Sequence, residues 1–560
     1  VQITELILFP LYILLGLTCH FDLKKINSLA MKKNKINSNN TGLVFILVSA
    51  LIMLAGCGKN FLDREPQGTY TEDTYPYPGG SGPYDTYLFA AYSELRSFNV
   101  HSQFFIFATS VRSDDADRGS SATDGVPNSS DFDDFPVNPT STWNNGLWLG
   151  YYSMVNKCNI ALDQIKNNNA IIATPQAKIQ SEGEAKLLRG YAYFMLVRLF
   201  GRVPLIDSIP PNGVSQSNVP QSQPAAIYTL IESDLQFAAA NLPASWDSRF
   251  VGRGTSGAAN GLLAKVYLTQ NKWASAMGAA QMVINSNVYG FAVPTGGLTS
   301  FDFEFREQGE NSKESIFEVQ ATASATIPTT NGVQYAQIQG VRGAGIWNLG
   351  IGWNVPSIYL DAAFEANDPR KKRTILYMST SSPAVTNQTI YGENTPVWNP
   401  SGSTPNPRYN GKTNTNPALR ASYNSNSGWW FNIRLLRYAD VVLMYAEAAN
   451  EVGGASNTTA ALAALNSVRA RARAGAPVGT LPDVTTTDQA MLRDAIRQER
   501  RVELAMEHDR FFDLVRWGTA QTVLNASGKP NFSNGRDVLL PIPQQQIDLS
   551  QGVLTKNPGY

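Results

Sequence analysis

The stretch VRSDDADRG sets Arg112, Asp114, Asp115 and Asp117 close together, and Trp143 follows in STWNNG. A second stretch, GAGIWNLGIGWNVP, places Trp347, Asn348, Trp353 and Asn354 among glycines. Carboxylates, amides and guanidiniums exchange hydrogen bonds with hydroxyls, and an indole face packs on the C–H side of a pyranose ring. Glycine lets a loop hold a Trp in the open with backbone groups nearby. Residues 112–143 and 345–356 are therefore the candidate ligand contacts, with Trp347 or Trp353 as a stacking platform. Each Trp is equally well explained as a core anchor beneath its loop. The acidic cluster departs from the EF-hand spacing, which argues against calcium. The pair Trp429–Trp430 reads as core.

Other chemistry finds no support. The cysteines are Cys19, Cys57 and Cys158, and the histidines are His20, His101 and His508. Without a CxxC pair or an HExxH, no thiolate zinc site and no common zinc-protease site is expected, and no cofactor is implied. Lys+Arg and Asp+Glu are equal at 45 each, so the chain lacks the basic surplus that a nucleic-acid backbone demands. Charged residues make up only 16% of the chain, and Asn, Ser, Thr, Gly and Pro take their place. Such a surface suits a neutral polar ligand outside the cell.

The front of the chain reads as an address. Met31 opens the basic run MKKNKINSNN, and 43–55 is the apolar run LVFILVSALIMLA. This length fits a signal-peptide core and falls short of a membrane span. It ends in LAGC at Cys57, the pattern for cleavage by a lipoprotein signal peptidase with acylation of the thiol. Each buried methylene adds about 0.8 kcal/mol, so several acyl chains anchor firmly. Residues 1–30 read as upstream sequence, 31–56 as the signal peptide, 57–240 as an N-terminal region and 241–560 as a C-terminal region, the last two forming one compact unit. With Cys57 acylated, Cys158 has no disulfide partner.

Elements must position the candidate groups, and the periodicity predicts helices. In 182–200, Leu188, Tyr191, Ala192, Met195 and Leu199 share one face, and Gly201 ends the run. Further helices are predicted at 147–166, 225–240, 258–270, 273–285, 438–451, 458–474 and 488–517. The pairs 258–270 with 273–285 and 438–451 with 458–474 read as Ala-rich helix hairpins like those of a tetratricopeptide repeat. Residues 101–146, 290–360 and 376–430 are long Gly/Asn/Ser-rich insertions, where binding groups commonly sit. A short strand is predicted at 315–320.

These segments resemble the SusD/RagB family of nutrient-binding outer-membrane lipoproteins. The similarity runs in order through CGKNFLDREP, WLGYYSMVNKCNIALDQI (with Asn156 and Asn159), EAKLLRGYAYFMLVRLFGRVPLI, TSGAANGLLAKVYL, ESIFEVQ, NDPRKKRTI, RYADVVLMYAEAANE, IRQERRVELAMEHDRFFDLVRWG, LLPIP and NPGY. The resemblance implies a mainly α, tetratricopeptide-like scaffold with long irregular loop insertions and a few short strands. It implies capture of oligosaccharides, in some members peptides, and a SusC-type TonB-dependent receptor as partner. Glu499, Arg500, Arg501 and Glu503, like Arg437, Tyr438 and Asp440, read as packing networks, since adjacent arginines hold such acids ionised. A surface glycoside hydrolase is the rival from another class; it needs two carboxylates flanking a cleft, one of raised pKa.

The lipobox generates the first prediction. Cys57→Ala releases the protein from membranes or leaves an unprocessed precursor. Labelled palmitate enters the wild type only. A mutant that still fractionates with the outer membrane, beside an unlabelled wild type, contradicts the anchor.

Overall fold

Four of the long helices begin where a side chain caps them. Ser141 accepts a hydrogen bond from the Asn144 amide and starts α2, and Thr174, followed by Pro175, starts α3. Thr255 does the same for α5 through Ala258, and Asp488 for α9 through Met491. The helices are α1 Asp85–Glu94, α2 Thr142–Asn167, α3 Pro175–Phe200, α4 Pro224–Asn241, α5 Ser256–Thr269, α6 Trp273–Asn285, α7 Tyr438–Val452, α8 Ala455–Ala472, α9 Gln489–Glu503 and α10 Arg510–Arg516, with shorter turns between them. This computed structural model describes residues 82–210, 218–324, 326, 329, 331–380 and 389–560. The signal peptide and Cys57 lie outside the described residues.

Each long helix packs on its successor, from α1 on α2 through α7 on α8, and α9 closes against α7 and α8. This mainly α, tetratricopeptide-like architecture matches the sequence expectation. One continuous core runs through it, including Leu147, Tyr151, Leu188, Tyr193, Leu235, Leu263 and Met444. Close approach depends on small residues. A Cβ at Gly261 on α5 would lie 2.4 Å from a Leu436 methyl carbon. Cys158 is buried and free.

Short strands sit in or beside the insertions, among them β1 Ala116–Gly119, β2 Ser315–Val319, β3 Trp353–Pro356, β4 Ile375–Tyr377, β5 Arg408–Asn410 and β6 Ile433–Arg437. They form two-stranded antiparallel ribbons, β1 with β3, β6 with β2 and β4 with β5. In the first, Ala116 faces Pro356 and Gly119 faces Trp353.

The single helix expected over 488–517 is two. After Glu503 the chain turns, with Met506 and His508 at φ of 66° and 75°. Tertiary contacts override the helical pattern here. The His508 ring is buried, its Nε2 lying 2.7 Å from the Tyr335 hydroxyl and its Nδ1 3.1 Å from that of Thr109. Lys265 pairs with Asp509 at 2.5 Å, and Arg437 with Glu507 at 2.6 Å.

Glu503 lies at the centre of a buried ionic network. Arg437 reaches it at 2.6 Å, Arg471 at 2.5 Å and Arg370 at 3.0 Å. Arg370 also pairs with Glu499 and with Asp368, and Arg469 meets Glu499 at 2.9 Å. Burial alone would raise the Glu503 pKa, but the three guanidiniums outweigh it and hold the carboxyl well below the usual range. Nearby, Arg500 binds Asp440 at 2.9 Å and Lys265 binds the same carboxylate at 2.8 Å. Glu503→Ala leaves buried cations uncompensated and is expected to cost about 3–5 kcal/mol of stability. Chemical denaturation measures this; a loss below about 1 kcal/mol, the scale of an exposed pair, contradicts the assignment.

Candidate ligand-binding site

The sequence-predicted residues separate into three places. Arg112 lies inside, sandwiched between the Phe511 ring at 4.1 Å and the Phe135 ring at 5.7 Å, and donates to the Asp537 carbonyl. Burial lowers its pKa to about 10, against the pull of Tyr560 and Asp537. Asp114 and Asp115 are also buried, beneath an open groove of about 790 Å³ lined by Asp114, Tyr359, Arg501 and Arg510. Arg510 donates twice to Asp114, at 2.8 and 2.9 Å, and Arg501 Nε donates to Asp115 at 2.8 Å. Burial pushes Asp114 up, yet Arg510 and Arg501 leave it below its ordinary value. In Asp115 burial prevails over Arg501, and the pKa stays raised. Asp117 projects from β1 and is exposed.

The tryptophans are packed away. Trp143 and Trp353 lie 5.6 Å apart in an aromatic cluster, each about 5 Å from the Phe107 ring, at 4.9 and 5.3 Å. Gly125, at φ +65°, closes over both rings, and a Cβ there would sit 2.9 Å from Trp143. Trp347 is buried with Val341, Leu349 and Tyr409. None of the three offers an open face for stacking: Trp143 and Trp353 belong to the main core, and Trp347 to a small core within the insertions. Asn348, next to Trp347, is exposed, whereas Asn354 is buried and donates to Gln339 at 2.7 Å. Trp430 is core and Trp429 is half-buried.

Polar and aromatic groups that the sequence reading did not single out, from buried Ser120 to exposed Trp398, lie on the same insertions. Ser120 follows β1; its amide donates to the Gly352 carbonyl at 2.7 Å, and Arg342 donates to its hydroxyl at 2.7 Å. Arg342 also pairs with Asp124. Asn406 reaches the Ser120 carbonyl at 3.5 Å. Trp398 is tied back to this segment by an Nε1 bond to the Pro405 carbonyl at 3.1 Å, yet its ring is 40% exposed. Three loops thus meet at one end of the β1–β3 ribbon and present an indole, a guanidinium–carboxylate pair and amides. The Tyr359 groove lies at the other end, since Ser357, just past β3, donates to the Asp114 carbonyl at 2.6 Å. The ribbon between them is roughly 10 Å long. Trp398 was findable: it heads the turn sequence NPSG, a poor place for a core anchor.

Comparison with known proteins decides the family. A model described as "SusD family" matches residues 313–560, and one described as "Starch-binding associating with outer membrane" matches 102–268. The chain belongs to the SusD/RagB family. SusD-like protein P2 of Formosa agariphila is 27% identical over 542 residues, spanning 95% of this chain and all of that protein. A solved laminarin-binding SusD-like protein superposes with a TM-score of 0.67 at 26% identity, covering 85% of this chain and 99% of that one. Surface glycan-binding protein A from Bacteroides thetaiotaomicron, solved with laminarihexaose, has a TM-score of 0.67 at 23% identity, covering 85% and 98%. The first of these structures is described as binding laminarin and the second holds laminarihexaose, and both share the scaffold described above.

Burial dictates how the aromatic residues of this SusD-family chain respond to truncation. Trp398→Ala is expected to weaken oligosaccharide binding by about 1–3 kcal/mol with an unchanged melting temperature. Trp353→Ala is expected to cost about 3–5 kcal/mol of stability. Titration calorimetry and thermal melts separate the two. Full affinity in Trp398→Ala moves the site elsewhere.

Proposed function

We propose that this chain is a surface-exposed, lipid-anchored binder of an extracellular oligosaccharide or polysaccharide, and that it delivers its ligand to a SusC-type TonB-dependent transporter. The observation that carries this reading is the loop face of Trp398, Arg342, Asp124 and Asn406 at the end of the β1–β3 ribbon. The indole packs against a sugar ring, while the amides and the ion pair exchange hydrogen bonds with hydroxyls. Relatives described as binding laminarin and laminarihexaose support a glycan as ligand. An extended chain laid along the ribbon would pass the exposed Asp117 and reach Tyr359.

The site binds without cleaving. Asp114 and Asp115, the acids that the groove brings together, are matched to Arg501 and Arg510 and do not form a free acid–base pair. No helix among the described residues is long and apolar enough to cross a membrane, so import falls to a spanning partner. A ligand touched by both proteins in the closed state favours closure by linkage.

A glycan and peptide binding screen, with product analysis of each bound ligand, tests the reading. Binding of a glycan that is returned intact, and recovery of a TonB-dependent receptor after mild detergent extraction, are expected. Selective binding of peptides would assign the chain to the family's peptide binders. Repeated turnover abolished by one Asp substitution would make it a hydrolase. Unimpaired uptake in a receptor deletion contradicts the delivery step.

A further inference from the structure

A second cleft lies away from the loop face, between α1, the segment 244–255 and β2. It has two lobes that share Val251, Gly252, Arg253 and Glu318. One, of about 760 Å³, is lined by Phe89, Tyr92, Arg96 and Gln320. The other, of about 780 Å³, is lined by Trp246, Tyr289 and Lys313.

Arg253 forms the wall between them. Its guanidinium stacks 5.1 Å from the Phe89 ring and 4.9 Å from the Trp246 ring. Glu184 accepts from it at 2.8 and 2.9 Å, and Asp85 at 3.0 Å. Tyr92 in turn donates to Glu184 at 2.7 Å. This wall is fixed and its charge is spent. The aromatic surfaces it carries are not fully covered: Phe89 is 43% exposed, and Val251 beside it is exposed too.

Two cations in the lining are not spent. Arg96, just after α1, is half-buried, and among the described residues its side chain has no hydrogen bond or ion pair. Burial lowers its pKa, and no nearby carboxylate opposes that. Lys313 is exposed and equally unpaired among the described residues. The one acid in the lining of either lobe, Glu318, is buried and engaged: it accepts from Asn432 at 3.0 Å and lies 3.6 Å from Arg434. Free positive charge beside exposed aromatic and apolar surface recognises a ring that carries an anion. A neutral sugar would leave the half-buried guanidinium without a counter-charge.

We propose that this cleft is a second binding site, for an acidic sugar unit whose carboxylate or sulfate pairs with Arg96 and whose ring packs on Phe89. The second site rests on the reading of the chain as a glycan binder, but it shares no residue with the loop face. A ligand with acidic and neutral stretches would engage both, and two sites on one chain raise its avidity when the spacing fits.

The full chain, extracted in mild detergent, is titrated with oligogalacturonate, with a sulfated galactan oligosaccharide and with neutral laminarihexaose. At least one acidic probe is expected to bind, and more weakly as salt rises from about 50 to about 500 mM. Arg96→Gln is expected to weaken that binding by at least about tenfold, and Lys313→Gln, at an exposed position that leaves folding intact, by a smaller factor. Trp398→Ala leaves it unchanged. Binding of only one acidic probe assigns the anion as carboxylate or sulfate. Failure of both probes, or acidic binding indifferent to Arg96→Gln and Lys313→Gln, overturns the second site. Laminarihexaose binding that is lost in Trp398→Ala and kept in Arg96→Gln tests the loop face separately.

Discussion

The carboxylate of Glu503 must not lose its guanidiniums. Three cations converge on it from distant parts of the chain: Arg370 from the short helix Pro369–Thr374, Arg437 from β6 and Arg471 from α8. Desolvating so many charges is repaid only when every one is matched. The match fixes α9 against the C-terminal insertions. Two residues before Glu503, Arg501 reaches outward to Asp114 and Asp115 at the foot of β1, joined there by Arg510. The same helix therefore sets the register of the C-terminal half and holds the N-terminal insertion on which the ribbon is built. The loops at the ribbon are irregular in backbone but tied to this electrostatic frame.

The scaffold was legible because it repeats a local rule. Apolar residues at helical spacing placed most of the helices to within a few residues. The start of α3 was read seven residues late, since Thr174 and Pro175 cap it outside the apolar pattern. The break after Glu503 was not legible at all. It is imposed by contacts of His508 with Thr109 and Tyr335, residues far away in sequence.

The candidate ligand residues were drawn from the insertions, and burial removes most of them from the surface. Arg112, Trp143 and Trp353 carry the right chemistry and are spent on the interior: one is clasped by two phenylalanines, and the others form the core beneath the ribbon. Asp114 and Asp115 lie at a groove but are consumed by Arg510 and Arg501, 396 and 386 positions away in sequence. Exposure is a tertiary property, and composition cannot separate a Trp that faces solvent from one that holds a loop down. Arg342 and the Trp398 segment stand on loops that converge at Ser120, which Arg342 and Asn406 both reach.

The account therefore rests on where a glycan touches the protein and whether it leaves unchanged. A crystal structure of the chain with a bound oligosaccharide addresses both at once. The expected result is an intact ligand with one ring on the Trp398 indole and hydroxyls hydrogen-bonded to Arg342, Asp124 or Asn406. A cleaved ligand, or an intact one seated away from the β1–β3 ribbon with Trp398 bare, would contradict it.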